Sequence, residues 1–155
     1  ELMKKCIVAG VLILSRDGRR TLLIKHKKLG IWVYPGGHIE KGETPLECAI
    51  REAKEEAGVD FKVISASGIT IRSRVASSLP MPLIVMSEDV PYKTGHHTHF
   101  DMIYLGIAKR AKFKPNSEST DCRWFSREAA MRLKTFGNVM RIIGYGFERY
   151  NELRK

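Results

Sequence analysis

Between Gly37 and Val59 the chain reads GHIEKGETPLECAIREAKEEAGV, a stretch with six acids and three bases. Glu52, Glu55 and Glu56 stand three and four positions apart, so on a helix turning about 100° per residue they gather on one side. As plain structure this is unfavourable. Each pair of like charges at that spacing costs roughly 0.2–0.5 kcal/mol, and Glu55 and Glu56 fall in the last turn, where the helix dipole disfavours anions. Arg51, four residues before Glu55, offsets only part of the repulsion, which leaves room for a further cation. Clustered carboxylate oxygens suit a hard ion, Mg²⁺ or Mn²⁺, whereas Zn²⁺ would want Cys or His. The alternative is a merely charged surface helix.

The element that must carry these groups is legible in the same residues. Thr44 is a good N-cap, Pro45 suits the first helical position, and Glu47 three residues after the cap completes a capping box. Gly58 then supplies a left-handed stop. Leu46, Ala49, Ile50, Ala53 and Ala57 form an apolar stripe expected to face a core, with the three glutamates beside it and Glu47 and Lys54 toward solvent.

The whole box resembles the signature of the Nudix hydrolases: Gly, five free positions, Glu, seven free positions, Arg-Glu, an aliphatic, a free position, Glu-Glu, a free position, Gly, an aliphatic. Gly37, Glu43, Arg51, Glu52, Ala53, Glu55, Glu56, Gly58 and Val59 fill every fixed position. The resemblance implies a hydrolase acting on phosphorus-containing anhydrides: a diphosphate in a nucleoside diphosphate linked to another moiety is cleaved by metal-assisted attack of water on phosphorus, with Mg²⁺ or Mn²⁺ as cofactor. It also implies that Glu52, Glu55 and Glu56 are metal ligands, that a backbone carbonyl of Gly36 or Gly37 joins them, and that Arg51 and Glu43 brace the loop and the carboxylates. Glu118, ahead of Trp124, matches the later carboxylate that many members add as ligand or base.

Around the box, strands are expected at Lys5 to Ser15, Thr21 to His26, Phe61 to Ile71, Pro82 to Met86, Phe100 to Ala108 and Asp121 to Phe125. Ser126 can cap a short helix through Leu133, and an amphipathic helix runs from about Asn138 to Leu153 through Val139, Ile142, Ile143, Phe147 and Tyr150. Strands mixed with two or three helices give an α+β chain with a mixed sheet covered on both faces. The resemblance names that arrangement: the Nudix fold, an α/β/α sandwich. At 155 residues and 43% hydrophobic, residues 1–155 are expected to form a single domain. Met3 is the expected natural start, with Glu1-Leu2 an appended remnant.

The net charge is +10, and the box itself carries −3, so the rest of the chain carries +13. A basic body around an acidic helix suits a polyanionic substrate, here a small phosphorylated molecule such as a nucleotide. RNA is a further possibility that charge does not separate. Cys6, Cys48 and Cys122 are odd in number and widely spaced, which suits free thiols in a reducing compartment, the cytoplasm. Lys4-Lys5 before an apolar run faintly imitates a signal peptide, but no small-residue cleavage site follows. No run is long enough to span a membrane. A homodimer through an exposed strand or the last helix is open.

Candidate substrate contacts lie outside the helix. In an extended segment His97, His99 and Asp101 point to one side, as a transition-metal site or a polar wall of the substrate pocket; a similar His-x-His-x-Asp entry to a strand occurs in some Nudix members, which favours substrate contact. Trp32 and Tyr34 precede the Pro35-Gly36-Gly37 loop, and either could stack on a base or simply pack. Lys25, His26, Lys27 and Lys28 form a basic run able to reach phosphates as point charges.

Two other functions share this fold: a domain that binds a nucleotide without cleaving it, and an RNA 5′-end pyrophosphohydrolase. The former would be expected to have lost box carboxylates, and none is lost. An isoprenoid diphosphate isomerase would place a cysteine before the box, and Trp32 to His38 holds none. Neither the proline nor the tyrosine that marks ADP-ribose or dinucleoside polyphosphate hydrolases stands around Arg74 and Val75.

Overall fold

The computed structural model describes residues 4–66, 68–92, 95–110 and 119–155. Its centre is a parallel pair, β1 (Lys4–Leu14) and β7 (Gly95–Ala108), in register from Lys4↔His97 to Leu14↔Ile107. Each of the two changes partner along its length. The first half of β1 pairs with β4 (Gly36–His38) at Val8↔His38 and Gly10↔Gly36, and its end pairs with β2 (Arg20–His26) at Ile13↔Leu22. Likewise β7 pairs with β6 (Ile84–Tyr92) up to Ile84↔Ile103, then with β5 (Phe61–Ile64) from Ile64↔Leu105. On the outer edge of β2 lies β8 (Ser119–Ser126), while β3 (Trp32–Val33) pairs with Ile24 and Lys25 on the same edge as β1, further along β2. The result is a mixed sheet whose strands splay apart beside β1.

Period-two alternation puts two cores on its two faces. Ala9, Val11 and Ile13 of β1, Leu22 and Ile24 of β2 and Tyr104 of β7 pack with Cys48, Ala49, Ala53 and Ala57 of α1 (Pro45–Ala57). Their neighbours Leu12, Leu14, Leu23 and Leu105 pack on the other face against Ala130 of α2 (Arg127–Ala130) and Val139, Ile143 and Phe147 of α3 (Gly137–Leu153). Arg127 Nη2 donates to Glu148 Oε1 at 2.8 Å and ties α2 to α3. This is the expected α/β/α sandwich. Among the described residues no helix is long and apolar enough to cross a membrane.

Several expectations about elements change. The strand begun at Phe61 stops at Ile64 rather than Ile71, because the part of β7 that precedes Leu105, up to Ile103, is already paired with β6. The chain after it is a surface loop, closed by an Arg72↔Ser77 bridge, that leaves Ile69, Val75 and Met81 exposed. The strand expected at Pro82 to Met86 runs instead from Ile84 to Tyr92, and β7 starts at Gly95 rather than Phe100. Ser87, Glu88, Asp89 and the histidines are polar, so this hairpin lacked an apolar signature; Thr98 Oγ1 donating to Asp89 Oδ1 at 3.1 Å helps hold it. In α2 the last turn tightens, with Arg132 N donating to Ala129 O at 3.1 Å and Leu133 N to Ala130 O at 3.2 Å.

The first turn of α1 is built as expected. Thr44 Oγ1 accepts from Glu47 N, and the Glu47 carboxylate accepts from Thr44 N at 2.8 Å. Gly58 closes the helix at φ 63°, ψ 30°. Ile50, however, is 42% exposed, and Cys48 takes its place in the core. The buried face is rotated toward the carboxylates: Cys48, Glu52 and Glu56 form one buried row beside Ala49, Ala53 and Ala57.

Candidate active site

The change of partner along β1 shapes the site. Between the residues paired with β4 and those paired with β2, Val11 N donates instead to Pro35 O at 3.0 Å. The loop from Tyr34 to His38 is thereby held against α1. A cleft of about 700 Å³ opens there, lined by Tyr34, Gly36, Gly37 and His38 from the loop, by Arg51, Glu52, Glu55 and Glu56 from α1, and by His26, Lys27 and Lys28.

Glu52 and Glu56 are buried at 9% and 8% exposure, whereas the Glu55 side chain is about half exposed. Burying carboxylates costs free energy unless something satisfies them. Glu56 Oε1 accepts from Gly36 N at 2.9 Å, and Glu52 Oε1 accepts from Arg51 Nη1 at 2.7 Å. Gly37 is required for the fit: a Cβ there would lie 2.6 Å from Glu52 Cδ.

Arg51 is the hub. Its Nε and Nη2 take Glu43 in a two-pronged pair at 2.7 and 3.1 Å, Nη1 is shared between Glu52 and Glu55 at 2.7 and 3.1 Å, and Nη2 also reaches His38 O at 3.0 Å. The Arg51 guanidinium holds the Glu43 carboxyl below its ordinary range, with Glu40 N adding to it. The same pairing with Glu43, then Glu52, raises Arg51 further above an already high value. So one cation hydrogen-bonds three carboxylates of the helix and loop, with a fourth, Glu40, at 3.9 Å, and its donors are committed to the three and to the loop backbone. The Gly37 carbonyl faces the Cys48 thiol, with Sγ 3.4 Å away. Burial pushes that thiol up to about 11.

A smaller hollow of about 310 Å³ adjoins the same loop, lined in part by Tyr34, His38, His99 and Asp101. The alternation expected in β7 is present: His99 and Asp101 are buried, while Phe100 between them is exposed. Burial, and secondarily Glu88, pushes Asp101 up to about 7. Burial also raises Tyr34, with Asp101 and then Glu88 contributing, and lowers His99, with His38 and His97 contributing. His97 lines neither hollow; one of its ring nitrogens lies within 4.8 Å of a ring nitrogen of His99 and of Cys6 Sγ.

The remaining candidates fall elsewhere. Trp32 packs edge-on against Phe125 at 4.8 Å between ring centroids, and the Arg123 guanidinium lies 5.7 Å from its ring centre. Lys25 pairs in the sheet with Trp32 and Asp121 and does not line the cleft, where its neighbours His26, Lys27 and Lys28 do. Glu118 lies outside the described residues. His38, whose ring stands 5.1 Å from that of His99, was not singled out from the sequence. Its place in the box is a free position, so only the β1–β4 register brings it to the site.

Known proteins share this arrangement. A family model described as the NUDIX domain matches residues 4–143. A protein of Mycobacterium tuberculosis named "Putative 8-oxo-dGTP diphosphatase 3" is 28% identical over 113 residues, which is 70% of this chain and 45% of that protein. An RNA pyrophosphohydrolase of Erythrobacter litoralis is 45% identical over 53 residues, 33% of this chain and 32% of that protein. The chain thus spans less than half the length of these curated relatives that it matches. The crystal structure of a NUDIX family hydrolase from Clostridium perfringens superposes with a TM-score of 0.77 at 24% identity, over 96% of this chain and 99% of that one. With the box complete on α1, the glycine loop seated on its carboxylates and the family model matching most of the sequence, this chain belongs to the Nudix family.

Proposed function

We propose that the protein is a Mg²⁺- or Mn²⁺-dependent hydrolase that cleaves a diphosphate bond in a nucleoside diphosphate derivative by attack of water on phosphorus. The observation that carries this reading is the convergence of Glu52, Glu55 and Glu56 on the Gly36–Gly37 loop inside a cleft edged by Lys27 and Lys28. The donors are all oxygens, two of the carboxylates are buried, and a side chain at Gly37 would fill the cradle. Such a set fits a hard divalent ion.

Glu52, Glu55 and Glu56, with a Gly36 or Gly37 carbonyl, are the residues that would hold the ion. A bound Mg²⁺ supplies neutralisation of phosphate oxygens and acidifies a water for attack. Arg51 and Glu43 position the carboxylates, since the guanidinium fixes three of them at once. Lys27 and Lys28 attract the phosphates as point charges. Tyr34, His99 and Asp101 form a wall for the rest of the substrate, whereas the packing of Trp32 and the place of Lys25 favour structural roles for both. Glu118 keeps its candidate role as ligand or base. We further take residues 1–155 as one domain, working in a reducing compartment such as the cytoplasm, consistent with its three free cysteines.

The mycobacterial relative's name points to an oxidised nucleoside triphosphate as substrate. A second reading, removal of diphosphate from RNA 5′ ends, is supported by the Erythrobacter relative and by the basic body. The test is phosphate-coupled turnover of nucleoside triphosphates and their oxidised forms, ADP-ribose, dinucleoside polyphosphates, NADH, nucleotide sugars and 5′-triphosphate RNA, each with Mg²⁺ and with chelator. Metal-dependent cleavage of a free nucleotide is the expected result. Silence across the panel alongside tight nucleotide binding would overturn it in favour of a binding domain.

A further inference from the structure

A second group of metal-ligating side chains forms at the opposite end of the central strand pair from the sheet's apolar heart. Cys6 of β1 lies in parallel register with His99 of β7, and His97 stands two residues along the same strand, so alternation turns all three to one face. One donor atom from each of Cys6, His97 and His99 falls within 4.8 Å of the other two. His99 is buried, and Cys6 and His97 are partly so. Among the described residues no carboxylate belongs to the group.

Ligand chemistry separates this cluster from the one on α1. A thiolate and two imidazoles suit Zn²⁺ and related transition ions, whereas the all-carboxylate set on α1 suits a hard ion such as Mg²⁺. With bonds of about 2.3 Å to sulfur and about 2.0 Å to nitrogen, a tetrahedral ion holds its ligand atoms roughly 3.3–3.6 Å apart. The present spacing therefore needs closure of at most about 1.5 Å, within reach of ordinary side-chain rotation. Three protein ligands leave a fourth position, and His99 also lines the hollow shared with His38, Asp101 and Tyr34.

We propose that Cys6, His97 and His99 form a binding site for one divalent transition ion of the Zn²⁺ class, separate from the α1 carboxylates and bordering the substrate hollow. The site rests on the side-chain geometry of β1 and β7 and stands or falls independently of the hydrolase reading.

Cobalt titration of the intact protein in excess Mg²⁺ tests it, since Co²⁺ is a spectroscopic substitute for Zn²⁺. One equivalent should bind with a thiolate-to-cobalt charge-transfer band in the near ultraviolet, and Zn²⁺ should displace it. Cys6→Ser should abolish the band, His97→Ala should weaken binding by more than about tenfold, and Glu56→Gln should keep the band. A companion measurement needs no variant: Zn²⁺ should slow alkylation of Cys6 in the native protein by about tenfold or more. Absence of the band at one equivalent, its persistence in Cys6→Ser, or alkylation of Cys6 indifferent to Zn²⁺ would each overturn the proposal.

Discussion

Arg51 engages Glu43, Glu52 and Glu55 together, and its position explains why the helix tolerates carboxylates that repel one another. The sequence spacing of Glu52, Glu55 and Glu56 was enough to place them together, because helical periodicity is a local property. It was not enough to show which are buried, nor that Gly37 serves Glu52 through space rather than through its own backbone freedom. That distinction yields a prediction. Gly37→Ala should displace the Glu52 carboxylate, the flexible end of a side chain, so thermal stability should change little, by less than about 1 kcal/mol. Turnover should fall by about 10²-fold or more as a metal ligand leaves its place. A variant with wild-type kcat would show that Glu52 is not held by this contact. Cys6 and His38 illustrate what single residues conceal: neither carries a distinguishing neighbour in sequence, and only strand pairing brings them to His99.

At the scale of elements, α1 was legible from end to end because its cap, its capping-box glutamate and its terminal glycine are all local signals. Gly58→Val should destabilise the fold, since a β-branched residue resists the left-handed conformation at φ 63°; the cost should be about 1–3 kcal/mol. Chemical denaturation would show it as a lower midpoint, and an unchanged midpoint would mean the helix does not need its glycine stop. The misjudged strands have a different cause. Ile64 ends β5 because of what β7 pairs with next, and the polar β6–β7 hairpin exists because each strand supplies the other's backbone partners. Such limits are tertiary, and no property of Ile69 or Ile71 themselves announces them. Ile50 was misplaced for a related reason: apolar periodicity drew the core face toward it, whereas the loop at Gly37 rotates the helix to bury Glu52 and Glu56 instead.

For the molecule as a whole, the surplus of +10 surrounds one acidic cleft, and substrate size decides how that charge is used. A free nucleotide presents few phosphates, so its competition for the site should weaken only about tenfold between 50 and 200 mM salt. A 5′-triphosphate RNA oligonucleotide should show that same modest dependence if only its terminus is bound. A loss of about 10³-fold or more would mean that the basic body grips the RNA chain, favouring the RNA-end reading. The sandwich was recoverable because β1, β2 and the end helix have strong apolar patterns. Partner switching along β1, which opens the cleft, was not recoverable because it is a relation among four strands. The most direct test of the account is Mg²⁺-dependent turnover of Glu56→Gln beside wild type on whichever nucleotide the wild type cleaves. Turnover should fall roughly 10³-fold with thermal stability retained, since the substitution removes a buried anion along with a ligand; equal turnover in the two proteins would contradict the assignment of α1 as the metal-bearing, catalytic helix.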